Sequence, residues 1–168
     1  VLAAATAEVD ALGHAPSAAD LPRLPLAMRI FKETLRLYPP VYLFSRQLLD
    51  PTSTLNGVAI TRPTLVFAAP YALHRRPELY PDPERFDPDH FLPEREKARP
   101  RLAWIPFGAG PRVCIGSQFA LLEGQIVLAT LLYHARFEPL SVVTPDPSVT
   151  FRPGGTMPMR VRVRRGQG

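Results

Sequence analysis

Apolar residues recur with a helical period in three segments of the chain. In the first segment they lie three or four positions apart, at Leu2, Ala5, Val9 and Leu12. This spacing places them on one face of a helix, and Gly13 supplies a stop signal. The second segment is stopped by Tyr38-Pro39-Pro40, because a proline disfavours helical backbone in the residue before it. The predicted helices are 1–12, 24–37 and 118–133.

The third predicted helix carries an apolar stripe formed by Phe119, Leu122, Ile126, Ala129 and Tyr133. A stripe at this spacing is typical of a helix face that packs against the core. We therefore expect most of these side chains to be buried by neighbouring elements.

Extended segments occupy much of the remaining chain. Residues 41–49 and 64–69 are predicted strands, and Asn56-Gly57 is typical of a two-residue hairpin turn. Residues 159–164 alternate with period two, which predicts a half-buried strand with its arginines facing outward. The pattern predicts a fold that is mainly α with small β-sheets (α+β).

The segments between these elements are short or rich in proline. We expect a short helix at 71–76, an irregular segment fixed by prolines at 80–93, and an exposed charged loop at 94–101. His74 has no second candidate ligand nearby, so we interpret it as a structural hydrogen-bonding residue.

Composition limits the class of protein. The chain has 168 residues, 21 prolines, one cysteine and a net charge of +5. It contains no apolar run long enough to span a membrane and no aromatic-plus-basic pattern typical of nucleic-acid binding, so we expect a cytoplasmic protein. The basic charge indicates either a solvated surface or a face that docks an acidic redox partner. The chain starts at Val1 inside a helical pattern, so we expect residues 1–168 to be a single piece of a longer protein.

The only cysteine, Cys114, lies in Phe107-Gly108-Ala109-Gly110-Pro111-Arg112-Val113-Cys114-Ile115-Gly116. The two glycines before Arg112 permit tight turns, and a long helix follows. A thiolate at a helix start is stabilised by free N–H groups and the helix dipole, as an axial ligand of a soft metal centre requires. The alternative is that Cys114 is a small buried hydrophobic residue.

This segment resembles the heme-binding signature of the cytochrome P450 superfamily, with every fixed position matched. The resemblance implies heme b as cofactor and Cys114 as the axial ligand of its iron. It implies cofactor contacts at Phe107, Gly108, Arg112 and Ala120, with Arg112 pairing with a heme propionate.

Other parts of the chain resemble the same family. Glu33-Thr34-Leu35-Arg36, followed by Leu37-Tyr38-Pro39-Pro40, is similar to the family's K helix, and residues 80–93 resemble its meander. The resemblance implies a structural triad of Glu33, Arg36 and Arg85. Arg46 is either an edge-strand charge facing solvent or, by the resemblance, a second propionate partner.

The resemblance covers the C-terminal part of the family's fold and leaves out its oxygen-activating helix. It implies the heme-ligating piece of a monooxygenase that inserts one oxygen atom of O₂ into a small organic substrate, such as a fatty acid or another apolar molecule. Electrons would come from a reductase or ferredoxin. The alternatives are a heme-binding electron-transfer module or an inactive truncated remnant, and, within the family, peroxygenase, isomerase or dehydratase chemistry.

Overall fold

The computed structural model describes residues 1–48, 54–60, 64–148 and 150–164. Its α-helices are α1 (Leu2–Asp10), α2 (Pro25–Leu37), α3 (Pro70–Leu73), α4 (Pro93–Ala98) and α5 (Ser117–His134). Short 3₁₀ turns occupy Ala18–Arg23, Pro88–Phe91 and Gly110–Arg112. The three long helices fall where the hydrophobic periodicity predicts them, because each repeats apolar positions over at least two turns.

The strands are β1 (Phe44–Gln47), β2 (Thr54–Leu55), β3 (Val58–Ala59), β4 (Leu65–Ala68), β5 (Ala135–Pro139), β6 (Pro145–Pro147), β7 (Phe151–Pro153) and β8 (Met159–Val163). They pair antiparallel as β1–β4, β2–β3, β5–β8 and β6–β7. Asn56 and Gly57 have positive φ of 50° and 80°, which confirms the predicted hairpin turn. Long helices with small sheets confirm the predicted α+β class.

The hydrophobic core lies between α1, the first turns of α2 and the second half of α5. Its buried members are Ala5, Val9, Leu12, Leu24, Ala27, Ala129 and Leu132. The carboxylate of Glu8 accepts hydrogen bonds from the N–H groups of Leu26 and Ala27, at 2.7 and 2.9 Å. These are free donors at the start of α2, so one side chain of α1 fixes where α2 begins.

Three predictions about elements need correction. The predicted strand 41–49 is reduced to β1, and its last predicted residue, Leu49, lies outside the described residues. The predicted strand 159–164 exists as β8, but all five of its residues are exposed, so it is not half-buried. The predicted loop 94–101 contains α4, which starts with a proline in its first turn and has acidic residues early and basic residues late, an order that suits the helix dipole.

The predicted buried stripe of α5 is also wrong in part. Phe119 and Leu122 are 68% and 48% exposed, whereas the face that is buried carries Leu121, Gln125, Ala129 and Leu132. The helix is apolar on nearly all sides, so the pattern alone does not select the face that packs. No helix within the described ranges has the length and apolar content needed to cross a bilayer.

Candidate functional site

The loop from Phe107 to Gly116, called here the cysteine loop, is closed by main-chain hydrogen bonds. The Cys114 N–H donates to the Phe107 carbonyl at 3.0 Å, and the Gly108 N–H donates to the Ile105 carbonyl at 3.1 Å. Gly108 and Gly110 have φ of +76° and +73°. Residues that carry a side chain rarely adopt a positive φ, so the glycines have the conformational role that the sequence predicts.

Cys114 is exposed at the end of this loop, three residues before α5 begins at Ser117. The alternative of a small buried hydrophobic residue is therefore wrong. Ile115 is fully exposed and Phe119 is 68% exposed, while Ala120 is half-buried in the first turn of α5. A soft sulfur donor among exposed apolar side chains fits an apolar planar metal group such as an iron porphyrin.

The two predicted propionate partners lie on different elements. Arg112 is exposed and ends the 3₁₀ turn inside the cysteine loop. Arg46 lies in β1, opposite Val66 of β4. It donates to the Ser45 carbonyl at 2.8 Å and its guanidinium lies 5.3 Å from the centre of the Phe44 ring. Contacts of Arg112 and Arg46 with a heme stay predictions.

Behind the cysteine loop, Glu33 and Arg36 form a fully buried ion pair on α2. The guanidinium of Arg36 donates to both carboxylate oxygens of Glu33, at 2.7 and 2.9 Å, and both side chains have no exposed surface. Arg36 also donates to the carbonyls of His74, Pro83 and Arg85, at 2.8, 2.7 and 3.1 Å. A buried charge is tolerated when its hydrogen-bonding groups are satisfied in this way, so the pair ties α2 to two later segments.

The prediction that Arg85 is the third member of this group needs correction, because the side chain of Arg85 is not the one that joins the pair. Arg85 is exposed and contributes only its main-chain carbonyl. The side chain that contacts Glu33 is that of His90, whose Nδ1 lies 3.2 Å from Oε1 of Glu33 and whose Nε2 lies 2.9 Å from the Pro81 carbonyl. The 3₁₀ turn Pro88–Phe91 points His90 inward, with 3% of its surface exposed.

The electrostatics of Glu33 follow from these contacts. Burial alone would raise the pKa of Glu33, but hydrogen bonds from Arg36, from His90 and from the Asp87 N–H hold this pKa below its ordinary value. Glu33 is therefore an ionised acceptor at neutral pH. In the described structure its carboxylate holds Arg36, His90 and the Asp87 N–H in place by accepting their hydrogen bonds.

A row of aromatic rings connects this buried pair with the cysteine loop. Ring centres of neighbouring members lie 5.5 to 6.5 Å apart along His90, Tyr80, Phe91, Trp104 and Phe107. Tyr80 is fully buried and its hydroxyl donates to the Ala103 carbonyl at 3.1 Å. Sequence reasoning did not identify this row beyond Phe107. The available signal was the density of aromatic residues on both sides of residues 94–101.

His74 forms a second connection, to the segment that enters the cysteine loop. Its Nδ1 lies 3.2 Å from the Arg36 carbonyl, and its Nε2 accepts a hydrogen bond from the Ile105 N–H at 2.9 Å. Burial lowers the pKa of His74 to about 4, and the charges of Arg36 and Arg75 act in the same direction. This confirms the prediction that His74 is a structural hydrogen-bonding residue.

Comparison with known proteins gives a consistent assignment. The cytochrome P450 family model matches residues 1–160. Cyclooctatin synthase of Streptomyces melanosporofaciens is 42% identical over 156 residues, which cover 90% of this chain and 34% of that protein. Cytochrome P450 4V2 of Mus musculus is 43% identical over 74% of this chain and 24% of its own length.

Solved structures agree with these sequence relatives. The cytochrome P450DA heme domain superposes with a TM-score of 0.89 at 32% identity, over 98% of this chain and 37% of that chain. The chain therefore spans about a third of the length of cyclooctatin synthase and of the P450DA heme domain. The match of the family model over residues 1–160, together with these relatives, shows that the chain belongs to the cytochrome P450 family.

Proposed function

We propose that residues 1–168 are the heme-ligating C-terminal part of a longer heme-thiolate monooxygenase, the parent protein, with heme b as its cofactor. The observation that carries the proposal is the exposed sulfur of Cys114 at the end of a loop closed by its own main-chain hydrogen bonds. Membership in the cytochrome P450 family implies a heme cofactor. A bound heme would supply activation of O₂, because a thiolate ligand pushes electron density towards iron and favours O–O cleavage.

Different residues of this chain would hold different parts of the heme. Cys114 would bind the heme iron through its sulfur, and Phe107, Gly108 and Ala120 would contact the cofactor. Arg112 and Arg46 each offer a planar fork of N–H donors, which suits the carboxylates of the heme propionates. The exposure of Arg112 supports this role.

Behind the loop, the Glu33–Arg36 pair and His90 affect Cys114, the proposed heme ligand, only by holding neighbouring segments in place. Their hydrogen bonds fix the segments at Pro81–Arg85 and the aromatic row that ends at Phe107. We assign them to positioning of the cysteine loop and not to the chemical steps.

The parent protein would insert one oxygen atom of O₂ into a small apolar organic substrate. A relative from Streptomyces melanosporofaciens, 40% identical over 82% of this chain, is named cyclooctat-9-en-7-ol 5-monooxygenase, which supports this reaction type. Electrons would come from a reductase or a ferredoxin, and the net charge of +5 suits an acidic partner surface.

The test is the absorption spectrum of the reduced carbon monoxide complex of the parent protein. A strongly red-shifted Soret band reports thiolate ligation. We expect this band in the unaltered protein and in Ser117→Ala, a control three residues along the chain, and we expect Cys114→Ser to lose it. Heme binding with an unchanged spectrum in Cys114→Ser would overturn the proposal.

A further inference from the structure

His74 is the one fully buried histidine in the part of the chain that the structure describes. It follows α3 directly and lies between the end of α2 and the segment that enters the cysteine loop. The sequence assigns it a structural role only, and neither the cofactor contacts nor the Glu33–Arg36 pair requires an imidazole at this position.

The two ring nitrogens have opposite roles. The Arg36 carbonyl is only an acceptor, so Nδ1 must carry the proton in the 3.2 Å contact. The Ile105 N–H is only a donor, so Nε2 must offer its lone pair in the 2.9 Å contact. Only the neutral imidazole with its proton on Nδ1 satisfies both groups. The low pKa of His74, about 4, agrees with this assignment.

The contact at Ile105 continues into the loop that holds the ligand. The Ile105 carbonyl accepts from the Gly108 N–H at 3.1 Å, at the first turn of the cysteine loop. The Phe107 carbonyl, between these two residues, accepts from the Cys114 N–H at 3.0 Å. The main chain of residues 105–108 is therefore hydrogen-bonded to the His74 ring at Ile105 and to the Cys114 N–H at Phe107.

The other end of the imidazole is equally well anchored. The guanidinium of Arg36 donates to the His74 carbonyl at 2.8 Å, and the Arg36 carbonyl accepts a hydrogen bond from Nδ1 of the His74 ring. Arg36 itself is fixed by Glu33 and by two further carbonyls. His74 thus connects the cysteine loop with the most heavily hydrogen-bonded side chain described in the molecule.

We infer that His74 is a positioning residue for the heme ligand, whose neutral imidazole fixes the main chain at Ile105 relative to α2 and thereby sets where Cys114 presents its sulfur. The inference rests on the proposed heme-thiolate function. It goes beyond that function by assigning ligand placement to a side chain outside the cysteine loop and outside the Glu33–Arg36 pair.

The test compares His74→Gln with His74→Asn in the parent protein. A glutamine side chain is long enough to offer an amide oxygen to the Ile105 N–H and an amide hydrogen to the Arg36 carbonyl. Asparagine is one bond shorter, so it keeps a donor near Arg36 and leaves the Ile105 N–H without an acceptor. The readout is the ratio of red-shifted, thiolate-ligated heme to other bound heme in the reduced carbon monoxide spectrum, at equal heme content.

We expect His74→Asn to lower this ratio roughly three- to tenfold, because a buried N–H without a partner destabilises the arrangement that holds it. His74→Gln should restore most of the ratio. Gln125→Met is the matched control: Gln125 is buried and also makes two main-chain hydrogen bonds, to the carbonyls of Leu21 and Leu24, at 3.0 and 2.8 Å. It should lower Tm and leave the ratio unchanged.

Two results would overturn the inference. One is an unchanged ratio in His74→Asn. The other is an equal fall in His74→Asn and Gln125→Met, which would make the effect one of general stability. Absence of the red-shifted band from the unaltered protein would instead count against the proposed heme-thiolate function.

Discussion

At the scale of single residues, the molecule buries four polar side chains in one small region, those of Glu33, Arg36, His74 and His90. Burial of an ion or an imidazole is costly unless each polar atom finds a partner. Here the partners are mostly main-chain carbonyls and N–H groups from distant segments. The requirement to satisfy these side chains therefore fixes the path of the chain from α2 to the cysteine loop.

The burial of His74 predicts a specific dependence of stability on pH. Its pKa is about 4 in the folded chain, against an ordinary value of 6.5. Between these values the unfolded chain binds a proton that the folded chain does not, so stability is complete above about pH 6.5 and falls as the pH drops towards 4. The shift corresponds to about 3 kcal/mol in the free energy of unfolding. Arg36 and Arg75 are the charges that add to the effect of burial.

Urea unfolding at pH 7.5 and at pH 4.5 measures this dependence, with His74→Gln as the comparison because glutamine does not titrate. The unaltered protein should lose more stability over this range than the variant, by about 2 to 3 kcal/mol. The low pKa of Glu33 acts in the same direction at still lower pH and is common to both proteins. Equal losses in the two proteins would contradict the assignment of a neutral buried His74.

The same residues show what the sequence could and could not predict. The cysteine loop and the Glu33–Arg36 pair are local patterns that resemble motifs of the family, so the resemblance identifies them from the sequence. The partner of Glu33 depends on a turn in a segment without periodic structure. Arg85 and His90 are both basic residues of that segment, and only the inward orientation set by the 3₁₀ turn at Pro88–Phe91 selects His90.

At the scale of elements, the contact between α2 and α5 depends on one glycine. A Cβ built on Gly124 would lie 2.2 Å from Cζ of Phe31 on α2, and two further ring atoms lie within 2.4 Å. The helices can approach at this distance only because residue 124 has no side chain. This contact could not be predicted from the sequence, because α5 is apolar on nearly all sides and the position of a glycine within it does not show which face packs against α2.

Gly124→Ala should therefore destabilise the protein. In an exposed helix interior this substitution stabilises by about 1 kcal/mol, but here the added methyl group displaces the Phe31 ring and should cost about 1 to 3 kcal/mol. Thermal unfolding measures the sign directly. Glu123→Ala, at an exposed position one residue earlier, is the control and should change stability by less than about 0.5 kcal/mol. An increase in Tm for Gly124→Ala would show that the helices do not pack through this residue.

At the scale of the whole molecule, large apolar side chains are exposed around the sulfur and along α5. Ile115 is fully exposed, and Phe119, Val127 and Leu131 are 68%, 50% and 47% exposed. An exposed apolar surface of this kind marks a place where another surface packs. The chain covers 34% of cyclooctatin synthase and 37% of the P450DA heme domain, so relatives of this chain carry much additional structure.

We expect the 168-residue chain by itself to lack monooxygenase turnover. In the described residues Cys114, the proposed heme ligand, is exposed and its surroundings are open to water. Oxygen chemistry at a heme requires a site from which water is excluded, because an open site allows side reactions. The measurement is substrate-dependent oxidation of NAD(P)H by the chain supplied with heme and a surrogate reductase. The parent protein under the same conditions is the positive control, and robust turnover by the isolated chain would contradict the assignment of these residues to ligand binding alone.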